Sequence, residues 1–399
     1  MSSAALLRFV YDATGNKLQK IVTDNTTSPS KTVVTNYIDG FVYQHAGNTA
    51  HDTLQFFPTE NGRVRYVPAH QTVPAAYVYD YFIKDHLGNV RVVLTEQTDF
   101  SQYLATMEQP NAPKEEALFY NLDNTRTIKP PGYPSDNITT PNTAVAQLNG
   151  QDPNKRIGPS IILKVMAGDT IEAAVRAFYR QQVTKQNKGG LPAEQMLVGL
   201  LQAFTNPPLQ GGTLHRSTIA PNVSGSGPGL TAEDWQSLQQ KNPVANQDDK
   251  PKAYLNYVFF DNQLKFVGDG SGVKQVDGQP GDLETLSSGQ VVAKKSGYVY
   301  VYTSNESDQD VLFDNLGVTQ ITGPVLEETH YYPFGLTMSG ISTTAPLKLE
   351  NRFKFNGKEL NHKELSDGSG LEWYSYGKRE YDQQIGRFFR VDPLSDKFP

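Results

Sequence analysis

From Glu327 to Pro399, aromatic residues alternate with polar ones. Glycines interrupt the alternation at short intervals, at Gly335, Gly340, Gly357, Gly377 and Gly386. A side chain that changes face at every residue has the strand period, and glycine between such runs is a turn residue. The stretch therefore reads as short strands joined by tight turns. The same pattern opens the chain. Leu6 to Ile21 is an alternating run broken at Ala13-Thr14-Gly15-Asn16, which predicts a hairpin. Tyr11 lays its ring on the sheet, Asp12 caps the turn through backbone N–H groups, and Gly15 takes the left-handed position. The pattern recurs at Thr35 to Gly40 and from Leu54 through the turn at Asn61-Gly62 to Val67. It is clearest at Ala76 to Leu94. Ribbons of this kind cannot bury their faces alone and need stacked neighbours. Too few are present to predict a complete closed shell from this chain.

The rest of the composition narrows the class. A chain of 399 residues allows two or three domains. Aromatics make up 11%, with 21 tyrosines, which favours strands and turns over long helices. The net charge of −6 argues against a broad basic surface for nucleic acid. With no cysteine, disulfides, thiolate metal sites and a Cys nucleophile are excluded. No apolar run reaches the roughly 20 residues of a membrane span. Met1 to Asp12 makes a poor signal peptide, because its apolar patch is short and Arg8 cuts it. If the protein is exported, the chain is expected either to have lost its leader or to be one segment of a longer polypeptide.

Between the two alternating ends the sequence changes character. Residues 99–154 are rich in Pro, Asn and Thr, as in Lys129-Pro130-Pro131-Gly132-Tyr133-Pro134, and read as an irregular connector. Residues 155–325 read as an inserted antiparallel β-sandwich. Ile161, Leu163 and Val165 alternate in one strand, and Ile171, Ala173, Val175, Ala177 and Tyr179 line one face of the next. Two short helices are expected near 191–205 and 231–241, the second opened by Thr231 as N-cap. The run Ser224 to Gly229 is glycine-rich but follows no strand and lacks the Lys-Ser/Thr ending of a phosphate loop. Tyr298, Tyr300 and Tyr302 share one strand face. They could form a platform for a sugar or simply a packed sheet face. Asp308, Asp310 and Asp314 could offer oxygens to calcium or lie in a solvated loop, and their spacing matches no defined loop. His86 beside Asp85 could be an acid/base pair or two residues of a turn. No cofactor or metal is predicted.

Several runs carry a family resemblance. Asn356-Gly357-Lys358-Glu359-Leu360, Tyr376-Gly377, Arg379, Tyr381-Asp382, Gly386-Arg387-Phe388 and Val391-Asp392-Pro393-Leu394 look like the RHS repeat-associated core in the form common in Bacteroidetes. The turns at Tyr11-Asp12 and the run Asp85 to Val93 resemble its YD repeats. The resemblance implies a mainly β protein: a YD-repeat hairpin shell over residues 1–98 and a core over 326–399 that plugs the shell. It also implies a large secreted or cell-surface protein, often a polymorphic toxin, whose partner is a C-terminal toxin-like segment or the rest of a longer RHS polypeptide. The core of toxin members resembles an aspartyl autoprotease. Carried over position by position, this points to Arg379, Asp382 and Asp392 as catalytic. The family's glycine-rich cleavage segment is replaced here by Leu394-Ser395-Asp396-Lys397-Phe398-Pro399. The strand around Tyr298 to Glu306 and the run Val311 to Val318 also look like the jelly-roll sandwiches of carbohydrate-binding modules. That likeness makes glycans an alternative partner and a surface adhesin the alternative function.

Overall fold

The computed structural model describes residues 5–47, 49, 51–69, 73–180, 231–242, 249–392 and 395. The helix expected near 191–205 and the glycine-rich run at 224–229 lie outside them. The protein is mainly β, with several antiparallel sheets and a few short helices. It divides into two compact units. The first combines Met1–Gln97 with Pro324–Pro399, and the second is Thr98–Gly323.

The first unit opens as a meander of eight strands: β1 (Ala5–Tyr11), β2 (Lys17–Asp24), β3 (Lys31–Ile38), β4 (Phe41–Ala46), β5 (Thr53–Thr59), β6 (Gly62–Val67), β7 (Ala76–Lys84) and β8 (Val90–Thr95). Each pairs antiparallel with the next. The turns follow the residues that make them. Asp12 Oδ1 accepts from the backbone N–H groups of Thr14 and Asn16, both at 2.8 Å, and Gly15 has φ +93°. Asp85 repeats the arrangement with the N–H groups of Leu87 and Asn89, both at 3.0 Å. A short polar side chain thus satisfies donors that the ladder leaves unpaired.

The second unit is built from β9 (Phe100–Ala105), β10 (Arg126–Ile128), β11 (Ala144–Leu148), β12 (Ile157–Val165), β13 (Thr170–Phe178), β14 (Ala253–Asp261), β15 (Phe266–Gln275), β16 (Glu284–Val292), β17 (Gly297–Asn305) and β18 (Val311–Ile321). Its described helices are α1 (Ala112–Glu115), α2 (Leu122–Thr125) and α3 (Ala232–Gln240). One sheet has the order β10-β11-β18-β13-β16 with β9 also on β18, and the other is β12-β17-β14-β15. They share a core that includes Val175, Ala177, Phe313 and Val318 from one sheet and Leu255, Phe259, Val299 and Val301 from the other. Burial of that much apolar surface is what holds a sandwich together.

Residues 99–154 are not the irregular connector expected. They supply β9, β10 and β11 to the first sheet of the sandwich. Buried carboxylates order the remainder by accepting backbone N–H groups that have no strand partner. Glu115 takes those of Thr106 and Met107, and Glu108 takes those of Thr143 and Ala144. Composition hid this, because the strands are only three to six residues long.

The chain then completes the first unit with β19 (Val325–Glu328), β20 (Thr343–Thr344), β21 (Glu359–Asn361), β22 (Trp373–Ser375), β23 (Glu380–Asp382) and β24 (Arg387–Phe388). β19 pairs antiparallel with β8, so the meander becomes a ten-stranded sheet ending in β19-β20. The last four strands form a small sheet of their own around Leu360, Tyr374 and Tyr381. The loop at Tyr331 to Gly335 is strapped to it: Tyr374 Oη donates to the Gly335 carbonyl and Tyr381 Oη to that of Phe334, both at 3.2 Å. Gly335 has φ +89°, and a Cβ there would stand 2.5 Å from the Phe355 ring. Both the conformation and the close approach need glycine.

Candidate functional site

Strand alternation leads one to expect rings inside and charges outside. The ten-stranded sheet reverses this along β7. Tyr77, Tyr79, Tyr81 and Ile83 are exposed, while Asp80, on the opposite face, is buried. The same inner face carries Lys20, Arg63 and Arg65, each almost wholly buried. Charges survive burial only when paired and hydrogen-bonded, and the terminal segment supplies the partners.

The inner face can be followed along the sheet. On β2 the register slips by one residue next to Leu18, which brings Lys17 to the same face as Lys20. Lys17 Nζ is 3.0 Å from Glu359 Oε2 and 3.0 Å from Ser375 Oγ. Lys20 Nζ is 3.3 Å from Glu364 Oε1 and 3.4 Å from Asn361 Oδ1. Tyr37 Oη donates to Glu359 Oε1 at 2.8 Å, and Tyr11 Oη to Glu380 Oε1 at 3.2 Å. At the end of β2, Asp24 accepts the Ser366 N–H at 2.8 Å.

On β6 and β7, Asp80 is held by both Arg63 and Arg65, and Arg63 Nη2 donates onward to the Leu349 carbonyl at 2.7 Å. At β8, the Asn89 side chain accepts the Asn356 N–H at 2.7 Å, and the Val90 N–H donates to the Lys354 carbonyl. Buried Glu327 on β19 takes the Asn351 N–H and pairs with Lys354. Glu350 gathers His362, Lys354 and Lys363.

The electrostatics follow the geometry. Burial works to raise Glu359, but Lys17 and Lys20 overcome it and hold the carboxyl below its ordinary value. Burial works the same way on Glu350, and His362 and Lys354 more than reverse it. Burial lowers Lys20 to about 8, helped by the nearby Arg352 and opposed by Glu359 and Glu364. Burial, then Glu380, raises Tyr11 to about 12.

The residues singled out from sequence fall as follows. Arg379 and Asp392 are brought together, with Nη2 3.0 Å from Oδ2, and the Arg379 guanidinium lies 4.1 Å from the centre of the Phe388 ring. Asp382 sits on β23 and caps the turn that follows, accepting the N–H of Gln384 at 2.7 Å and of Ile385 at 3.3 Å. One carboxylate is therefore clamped by an arginine and the other orders a turn. Asp85 is likewise a turn residue.

Tyr298, Tyr300 and Tyr302 do not form an open platform. They are 9%, 0% and 2% exposed. β17 is covered on both faces: Val299 and Val301 face the inter-sheet core, while the tyrosines pack with Leu238 of α3, Ile162, Tyr254 and Val258. Asp310 bonds Gln147 and Asn149, and buried Asp314 faces Lys129 Nζ at 2.7 Å. Burial pushes Asp314 up to about 6 despite that ammonium. Among the described residues, no three His, Asp or Glu side chains are gathered as metal ligands would be.

No protein-family model matches the chain, and no curated protein matches it. Among the described residues, the polar inner face gathers the buried charged groups Lys20, Arg63, Arg65 and Asp80. Sequence reading missed its members, Lys20, Arg63, Arg65, Asp80, Glu327, Glu350, Lys354 and Glu364. One signal was available: Asp80 is a lone carboxylate among four aromatics from Tyr77 to Phe82, opposite an Arg-Val-Arg strand.

Proposed function

We propose that this chain is a structural and delivery module of the RHS/YD-repeat kind. In this reading the opening ribbons are a piece of shell wall, the terminal segment is the core that closes it, and the sandwich is a domain spliced between them. One observation supports it above the others. β8 of the ribbons hydrogen-bonds to β19 of the returning chain, and residues between Leu349 and Glu380 then pair with the charged inner face of the ribbons. The partner proposed is a C-terminal toxin-like segment or the remainder of a longer RHS polypeptide, exported or displayed at the cell surface.

Self-cleavage by Arg379, Asp382 and Asp392 belongs to the same proposal. The test is to express the chain with whatever its gene encodes beyond Pro399 and to follow that extension under limited proteolysis. Shielding of the extension supports the module reading. Digestion at the rate of a free peptide contradicts it. A specific cut after Asp392 that is lost in Asp382→Asn and Asp392→Asn supports the protease. An uncut chain, or a cut indifferent to both changes, removes it.

A further inference from the structure

Lys20 on β2 and Asn361 on β21 are separated by 341 positions in sequence, yet the lysine Nζ lies 3.4 Å from the asparagine Oδ1. Asn361 is fully buried and Lys20 is 1% exposed. Glu364 is the second partner of the amine, its side chain almost wholly buried and its Oε1 3.3 Å from Nζ. The amide is fixed from behind, its Nδ2 donating to Ser375 Oγ at 2.8 Å and to the Trp373 carbonyl at 3.5 Å. The carboxylate is fixed too, Glu364 Oε2 accepting the Leu371 N–H at 3.1 Å. An amine, an amide and a carboxylate are thus locked together out of contact with water.

These three groups are the components of a self-made amide cross-link, and we propose that Lys20 and Asn361 join covalently with release of ammonia. The Nζ lone pair attacks Cγ of Asn361, and Glu364 takes the proton that Nζ sheds. The tetrahedral adduct collapses as Glu364 returns that proton to Nδ2. The Nζ–Cγ bond forms, the Cγ–Nδ2 bond breaks, and ammonia leaves. No oxidant, reductant or outside reactant is needed. Holding reactants in place replaces the entropy an intermolecular encounter would lose, which is what makes an amide an accessible electrophile here. The amine must also be unprotonated to attack. Burial brings Lys20 down to about 8, so roughly a tenth of it is free amine near neutral pH. Ser375 Oγ also accepts from Lys17, and Glu359 pairs with that same lysine, so neighbouring charges are neutralised without occupying Lys20. The bond would join the second ribbon to the terminal segment and fix the closure of the first unit permanently.

Intact-mass measurement of the purified full chain, held at mildly alkaline pH, tests this. The expected mass is lower than the sequence mass by one ammonia, and digestion yields one branched peptide carrying both Lys20 and Asn361. Lys20→Arg and Asn361→Ala restore the full mass, and Glu364→Gln slows the loss. A succinimide at an Asn-Gly pair also loses ammonia, but it would persist in Lys20→Arg, and that result overturns the proposal. A wild-type chain of full sequence mass overturns it as well, leaving Lys20 and Glu364 as an ion pair. If a variant fails to fold, the presence or absence of the branched peptide in the wild type decides alone.

Discussion

Arg63 and Asp80 lie directly opposite each other across the β6–β7 ladder, Nε to Oδ2 at 2.8 Å, and both side chains are closed off from solvent. Arg65 shares the same carboxylate at 2.5 Å. Removing one member of a buried ion pair leaves the other charged and desolvated, which costs about 3–5 kcal/mol. Asp80→Ala strands two guanidinium groups at once. Urea unfolding of the variant should show a loss of that order, and a loss below about 1 kcal/mol would mean water reaches the arginines.

The loop that straps the terminal sheet depends on one glycine. In Gly335→Ala the new Cβ meets the Phe355 ring at 2.5 Å, in a backbone conformation with φ +89°. Strain of this kind costs of order 1–3 kcal/mol before any clash is relieved. The variant should lower the unfolding midpoint and expose Phe355 to fluorescence quenchers or exchange. An unchanged midpoint would show the loop to be uncoupled from the sheet.

Acid should loosen the first unit. Glu350 and Glu359 both have folded values below the ordinary carboxyl value of 4.5. The unfolded chain then binds more protons than the folded one, so stability is full above that value and falls as pH drops through it. Protonation of Glu350 and Glu359 should lower the urea midpoint of the first unit below about pH 4.5. Glu350→Gln should lower the neutral midpoint and flatten the acid limb. A wild-type midpoint that rises on acidification would contradict this.

The tyrosines of β17 should behave as core. Tyr300 is fully buried and stacked on Tyr302, with ring centres 4.5 Å apart. Truncating a buried aromatic costs about 3–5 kcal/mol, so Tyr300→Ala should destabilise the second unit by about that much. A variant of wild-type stability that instead lost affinity for a glycan would restore the platform reading.

The sequence shows some of this directly. The turns at Asp12 and Asp85 were legible because a capping Asp three residues before a glycine is a local device that needs nothing from elsewhere in the chain. The mainly β class followed from the alternation, whereas the join between the two chain ends was only implied by the resemblance. The direction of the faces did not follow from alternation. Alternation says that Tyr79 and Asp80 point opposite ways but not which way is in, and that is settled by Arg63 and Arg65 and by the distant Leu349 and Glu350 carbonyls that Arg63 also reaches. Tyr300 was ambiguous for the same reason. Its face is buried by α3, whose Leu238 is distant in sequence. Arg379, Asp382 and Asp392 came only from the resemblance; Asp382 caps a turn as Asp12 does, whereas the Asp of Tyr79-Asp80 lies mid-strand in a buried ion pair, a difference no local pattern announces.

The opening ribbons and the terminal segment should behave as one cooperative body. Hydrogen exchange in graded denaturant measures it most directly, because amides of one cooperative unit open together. β2 and β3 (Lys17–Ile38) should lose protection at the same denaturant concentration as β21 to β23 (Glu359–Asp382). If the terminal strands open first while the ribbons keep their full protection, the two are separate pieces and the closure is not what holds the wall.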